Sequence, residues 1–174
     1  MNRTRRGLLD GAARAFAEQG LRGSTMQSVA RAAGVAKATL YNHFRTKDEV
    51  ARALLAAELD RLTALAAERP ADGALAGLAD EFAGHPVLRR LRRTDPEVLL
   101  DLLAVSADTW AGLVARLAGA LGVDDDAAAL PARWLIGVAL HPGRSTTRHR
   151  HAAQLGALLA GAGAPGGQEA GIRA

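Results

Sequence analysis

Apolar residues recur along this chain every three to four positions, and Gly, Pro and capping residues cut the recurrence into segments of helical length. Over residues 4–19, Leu8, Ala12 and Phe16 stack at i, i+4 and i+8 on one face, and Gly20 suits the left-handed position that ends a helix. Ser24 and Thr25 each offer a side-chain oxygen as the next N-cap, ahead of a short helix over 26–33. Gly34 stops it after barely two turns, Val35 can plug the core, and a third short helix over 37–43 is followed by Phe44, which points inward with Leu40. Residues 47–69 carry Leu54, Leu55, Leu59, Leu62 and Leu65 at helical spacing as far as Arg69-Pro70, where the residue before proline resists helical geometry. Helices over 72–83 and 86–92 flank Gly84-His85-Pro86. Asp95-Pro96-Glu97 has the form of a helix start, with Asp95 as N-cap and proline first, and predicts one long helix over 95–121 that Gly122 stops. Asp124, Asp125 and Asp126 put negative charge where a helix dipole favours it, at the head of a helix over 126–140. After His141-Pro142-Gly143 comes a last helix over 147–160, and the Gly/Pro-rich tail 161–174 is expected to be disordered. The count is nine helices, with no convincing strand.

Composition supports an all-α fold. Ala and Leu dominate, Ile occurs only at Ile136 and Ile172, and aromatic residues are 3% of the chain, whereas strands favour β-branched and aromatic side chains. With 174 residues, the chain can bury a real core as one large domain or two small ones. It has no cysteine, which excludes disulfides, thiolate zinc sites, iron–sulfur clusters and a cysteine nucleophile. No apolar run approaches the ~18–20 residues of a membrane span. Asp10, Arg14 and Glu18 interrupt what would be the core of a signal peptide, so a soluble cytoplasmic protein is expected.

Charge is unevenly placed. Residues 1–48 hold nine basic side chains (Arg3, Arg5, Arg6, Arg14, Arg22, Arg31, Lys37, Arg45 and Lys47) against three acids (Asp10, Glu18 and Asp48), a net +6. The other 126 residues hold the remaining 13 of 22 basic and 15 of 18 acidic groups, a net −2. A basic head on a nearly neutral body is the footprint of nucleic-acid binding; a solvated basic surface is the plain alternative. The preference for arginine (20) over lysine (2) is read as a GC-rich genome rather than as function. Within the head, two short helices around a tight glycine-containing turn make a helix-turn-helix, whose second helix enters the major groove.

Residues 8–55 resemble the head of the tetracycline-repressor (TetR) family. The resemblance lies in Phe16, the connector Gly20-Leu21-Arg22-Gly23-Ser24-Thr25, the run Val29-Ala30-Arg31-Ala32-Ala33-Gly34-Val35, the motif Thr39-Leu40-Tyr41-Asn42-His43-Phe44, and Lys47-Asp48-Glu49. It covers roughly 50 residues, under a third of the chain. One departure is Ala36, where the family usually has a Ser or Thr capping the recognition helix, a loss of ~1 kcal/mol at that helix end. The resemblance implies a helix-turn-helix domain over 1–46 and a helical effector-binding and dimerisation domain over 47–160.

The residues of the head divide by chemistry. Thr25 can place its hydroxyl on a phosphate or on its own helix's N–H groups. The resemblance puts Tyr41 and His43 on backbone phosphates, through a phenol O–H and an imidazole N–H; Tyr41 read alone is equally a half-buried ring with a wet hydroxyl. Lys47, at the start of the fourth helix, would face a phosphate beside that helix's N-terminus. The resemblance carries base reading over to Lys37, Ala38 and Thr39, with Gln27 and Asn42 beside them: Lys can donate to guanine O6 and N7, Gln can bridge adenine, and the Thr methyl can meet a thymine methyl. Arg3, Arg5 and Arg6 are either an arm that tracks phosphates or the minor groove, or a loose tail.

In the body, the resemblance implies that the last two helices pair with their copies in a four-helix bundle, through Trp134, Leu135, Val138, Leu155, Leu158 and Leu159. A homodimer sets two recognition helices about one DNA turn apart on a palindromic double-stranded site. A small apolar effector would lie among Leu59, Leu62, Phe82, Leu88, Leu103 and Trp110, although apolar residues at this spacing also read as plain core. No cofactor, metal site or membrane is expected. His141, His149 and His151 lack an acid cluster, Asp124–Asp126 fit a helix start, and no nucleotide-binding loop or nucleophile–base constellation is present, so the chain does not read as an enzyme. The expectation is a dimeric transcriptional regulator, a repressor released by a small molecule; the alternative is a constitutive or architectural DNA-binding dimer without a ligand.

Overall fold

In a computed structural model, which describes residues 3–162, the chain is all-α, with ten helices and no strand among the described residues. The head comprises α1 (Arg3–Gly23), α2 (Met26–Ala33) and α3 (Lys37–Tyr41). The body comprises α4 (Lys47–Ala66), α5 (Ala71–Gly84), α6 (Pro86–Thr94), α7 (Pro96–Leu103), α8 (Ala107–Leu121), α9 (Asp125–Leu140) and α10 (Ser145–Ala162). Residues 161 and 162 close α10, and the rest of the tail expected to be disordered, 163–174, lies outside the described residues.

Helix ends follow local chemistry. α1 bends at Gly20, whose φ of 74° and ψ of 172° suit only glycine. The carbonyls loosened there are answered by the buried Ser24 hydroxyl, which donates to Gly20 O at 2.6 Å and Ala15 O at 3.2 Å. Ser24 is thus turned back onto α1, and Thr25 caps α2. The expected single helix over 95–121 is two: Ser106 Oγ accepts from Thr109 N and starts α8, which is bent by 79° from α7. Asp95 does not cap α7 with its side chain; its carboxylate is buried and accepts from Thr94 Oγ1 at 2.9 Å. Asp124 does cap α9, accepting from Ala127 N at 2.8 Å, and Gly122 closes α8 in the left-handed conformation.

One apolar cluster runs through both halves of the chain. It joins Leu8, Ala12 and Phe16 of α1 and Val29 of α2 to Leu40 and Phe44, to Val50 and Leu54 of α4, and to Leu88 and Leu91 of α6. A second cluster holds the body, with Leu62, Leu78, Val114, Leu117 and Leu135. A third, smaller one seats α10 on α5 through Leu75, Ala152 and Leu159. Polar bonds fix the helix pairing. Arg92 donates to Ala83 O and Ala139 O, both at 2.8 Å, which sets one guanidinium against the C-terminal ends of α5 and α9, where the dipoles favour a cation. Arg148 and His149 of α10 both reach Asp80 of α5, at 2.7 and 2.6 Å. Burial pushes the Asp80 carboxyl up, but the two partners outweigh it and hold it below its ordinary range.

Gly11 is where the head is tightest. A Cβ built there would run into Ala33 Cα and N, so α1 and α2 touch backbone to backbone with no room for a methyl. Gly11→Ala gains ~1 kcal/mol of helix propensity but forces two backbones apart. The expected net outcome is a loss of about 1–2 kcal/mol in urea unfolding; an unchanged midpoint would mean that α2 yields freely.

His85, between α5 and α6, is mostly buried, and its Nδ1 has no hydrogen-bond partner. Burial lowers its pKa below the ordinary 6.5; Glu58, 3.8 Å away, and Glu81 oppose this, and Arg61 and Arg92 reinforce it. The unfolded chain therefore binds a proton below about pH 6.5 that the folded chain refuses, and stability falls as pH drops through that value. Urea unfolding between pH 7.5 and 5.5 should show this fall, and it should shrink in His85→Gln; an equal fall in both would assign it elsewhere.

Candidate nucleic-acid interface

The residues of the head expected to contact DNA stay out of its core. Thr25, Gln27, Lys37, Ala38, Tyr41, Asn42 and His43 are exposed, and Thr39 is half-buried. Beneath them Val29, Ala30, Leu40 and Phe44 are buried, so packing on the inner side dictates which side chains face out. α3 ends at Tyr41, which leaves Asn42 and His43 in the turn beyond it rather than inside a helix over 37–43.

Thr25 caps its own helix. Its Oγ1 accepts from Ser28 N at 3.0 Å, and its backbone N–H donates to Ser28 Oγ at 3.0 Å, a reciprocal box. The Thr25 hydroxyl proton is not used in that box. Ala36 starts α3 with no side-chain bond, as its chemistry requires. Lys37 lies over the Tyr41 ring, with Nζ 5.6 Å from the centroid; the i, i+4 spacing is the sequence signal that would have found this pair.

Two basic residues sit differently from expectation. Lys47, expected to face a phosphate, turns inward: its ammonium donates to Leu21 O at 2.8 Å and to Arg22 O and Ser24 O at 3.2 Å. The bend at Gly20 strands these carbonyls, and an ammonium with three N–H groups satisfies them together. Arg5 is part of α1 rather than of a loose tail, and its guanidinium lies 5.2 Å from the Phe44 ring centroid. Sequence reasoning also missed the Arg22–Glu97 ion pair, which ties the connector to α7.

The expected effector residues divide between clusters. Leu62, Phe82 and Trp110 meet in the body core. Leu88 belongs to the cluster shared with the head, against which Leu103 packs, and Leu59 is half-buried. A cavity of about 10 Å³, walled by Phe16, Leu21, Leu54 and His85 among others, holds about one water. An open cleft of about 390 Å³ is walled by Glu58, Arg61, Asp80, Glu81 and His85. None of the six expected residues lines either space.

The expected dimer residues also divide by burial. Leu135, Val138 and Leu159 are buried within the protomer and so belong to its own core. Trp134 and Leu155 are half-buried. Leu158, at 62% exposure, does face outward, and so does Leu130 of α9, at 53%.

Comparison with known proteins agrees with this geometry. Residues 8–54 match the family model of bacterial regulatory proteins, tetR family. The HTH-type transcriptional repressor Rv1474c of Mycobacterium tuberculosis is 31% identical over 119 residues, 65% of this chain and 64% of that one. KstR2, an HTH-type transcriptional repressor of the same organism, is 47% identical over 62 residues, 35% of this chain and 31% of that one. The chain thus spans just under two thirds of the first relative and about a third of the second. Among solved structures, the TetR family repressor AlkX from Dietzia superposes with a TM-score of 0.73 at 18% identity, covering 90% of this chain and 95% of that one. GusR of Salmonella enterica superposes with a TM-score of 0.60 at 21% identity, covering 91% and 94%. Residues 8–54 thus match the head of the tetR family of bacterial regulatory proteins, and the chain as a whole shares the fold of these solved neighbours.

Proposed function

We propose that the chain is a transcriptional repressor that binds a palindromic DNA site as a homodimer and is released by a small apolar effector. The observation that carries this is the exposed surface of α2, α3 and the turn after them, where hydroxyl, amide, imidazole and ammonium groups stand over a fully packed core. Lys37, Ala38, Thr39, Gln27 and Asn42 read base edges in the major groove. Tyr41, His43 and the Thr25 hydroxyl proton serve phosphates, which fix register without reading sequence. Lys47 serves the same end indirectly, by holding the connector that carries Thr25. Leu158 and Leu130 are the outward apolar positions on which α9 and α10 of two copies meet.

Release requires that effector and DNA prefer different states, by typically ~1–3 kcal/mol of coupling. The cluster shared by α1, α4 and α6 gives a route: a shift in the body moves residues that pack directly on Phe16. Leu62, Phe82 and Trp110 are the effector residues of this proposal, in a core that must open around the ligand. A second reading, constitutive DNA binding, is favoured by the small size of the enclosed cavity.

Selection from a random duplex pool at ~150 mM salt, which suppresses the non-specific phosphate contribution, tests the DNA side. An inverted repeat is the expected product for the wild type and a single half-site for Leu158→Glu. Binding that merely fades with salt, without enrichment, would sink sequence reading, and an inverted repeat from Leu158→Glu would move the dimer contact elsewhere. For the effector, small apolar compounds that strip the wild type from the selected duplex should leave Trp110→Ala bound, with its duplex affinity close to that of the wild type. A variant that still responds removes Trp110 from the mechanism.

A further inference from the structure

We infer that Tyr41 positions Lys37: its ring holds the ammonium along the outer face of α3, so that the base preference read at position 37 depends on an aromatic side chain at position 41. The inference rests on the sequence-reading proposal above and gives Tyr41 a role separate from its hydroxyl's contact with phosphate.

Lys37 and Tyr41 are the first and last residues of α3, four apart and therefore on one face. The ammonium stands 5.6 Å from the ring centroid, within the range where a cation is drawn to an aromatic face. Both side chains are exposed, Tyr41 at 44%. No carboxylate pairs with Lys37 among the described residues, so the ring is the group that orders it. The other lysine makes the contrast, since Lys47 is held by three carbonyls. A lysine stem has four flexible bonds, and an unrestrained ammonium must be ordered when it meets guanine O6 or N7. An ammonium already confined over a ring loses less on binding, and it loses it selectively at the base pair that accepts it. Ring face and hydroxyl act on different partners, so substitution can separate them. Tyr41→Phe keeps the face and removes the O–H; Tyr41→Leu removes both.

The test is selection from one random duplex pool, at ~150 mM salt, with the full chain as wild type, Lys37→Ala, Tyr41→Phe and Tyr41→Leu. Lys37→Ala marks the base positions that Lys37 reads. Tyr41→Phe is expected to bind all duplexes more weakly while keeping the wild-type preference at those positions. Tyr41→Leu is expected to lose about two- to fivefold of the preference there and nowhere else, the span of an exposed cation–π contact. Because position 41 is exposed, thermal unfolding of the Leu variant should match wild type; if it does not, Tyr41→Met, unbranched and helix-forming, carries the same expectation. Undiminished preference in the Leu or Met variant overturns the inference, as does equal relaxation in Tyr41→Phe, which would assign the effect to the hydroxyl. A wild type that enriches no sequence overturns the sequence-reading proposal itself, and this inference with it.

Discussion

Burial of one face of α1 is the constraint on which the rest of the molecule depends. Leu8, Ala12, Ala15, Phe16 and Leu21 are all buried, and the helices they touch are those that carry the exposed polar surface of the head on one side and those that begin the body on the other. Each such leucine or phenylalanine contributes roughly 1.5–3 kcal/mol, so the head cannot move off α4 and α6 as a loosely tethered unit without exposing several of them. The same face demands close approach. Gly11 admits α2, and Gly20 lets α1 turn its last residues towards Thr94 and Asp95. Bending a helix at that point strands backbone carbonyls, and buried carbonyls need partners. Ser24 and Lys47 supply them, from residues 4 and 23–26 positions away.

In the body, alanine and glycine let helices pack closely but give little shape to distinguish one pairing from another. Charged side chains add that distinction at the rim. Asp80 is reached by Arg148 and His149 of α10, Arg61 links Glu58 of α4 to Glu81 of α5, and Arg116 of α8 reaches Asp60 of α4. Solvent reaches most of these groups, so each adds little stability; their value lies in selecting register among apolar faces that are nearly alike.

Where apolar spacing and a capping residue coincide, the chain announces its own structure. The helix over 26–33, Thr25 at its head, the left-handed Gly34 and Gly122, and Asp124 before α9 could all be read from side-chain chemistry. The division of 95–121 into α7 and α8 could not be read from periodicity, because no Gly or Pro stands at the break over 104–106; Ser106 with Thr109 three residues on was the available sign. The inward turn of Lys47 was hidden for a different reason, since its acceptors are backbone groups more than 20 residues earlier. Leu135, Val138 and Leu159 expose a more general limit. Periodicity shows that a residue will be buried, but burial against one's own helices and burial against a second copy leave the same pattern. The exposed polar positions of α2 and α3 were legible because they are the remainder of short helices whose apolar side has one place to go.

The fold treats its two lysines in opposite ways. Lys47 commits its ammonium to three carbonyls, while Lys37 stands exposed on α3, and every other basic side chain of the Lys/Arg class is an arginine. Chemistry that attacks side-chain amines, whether an acyl donor in the cell, a fluorescent ester or an activated sensor chip, therefore meets this protein chiefly at the exposed face of α3. Acylation there erases the charge that an arginine would have kept, so a tag or tether attached through lysine would sit on α3 and cover its neighbours Tyr41 and Ala38 rather than a neutral part of the body.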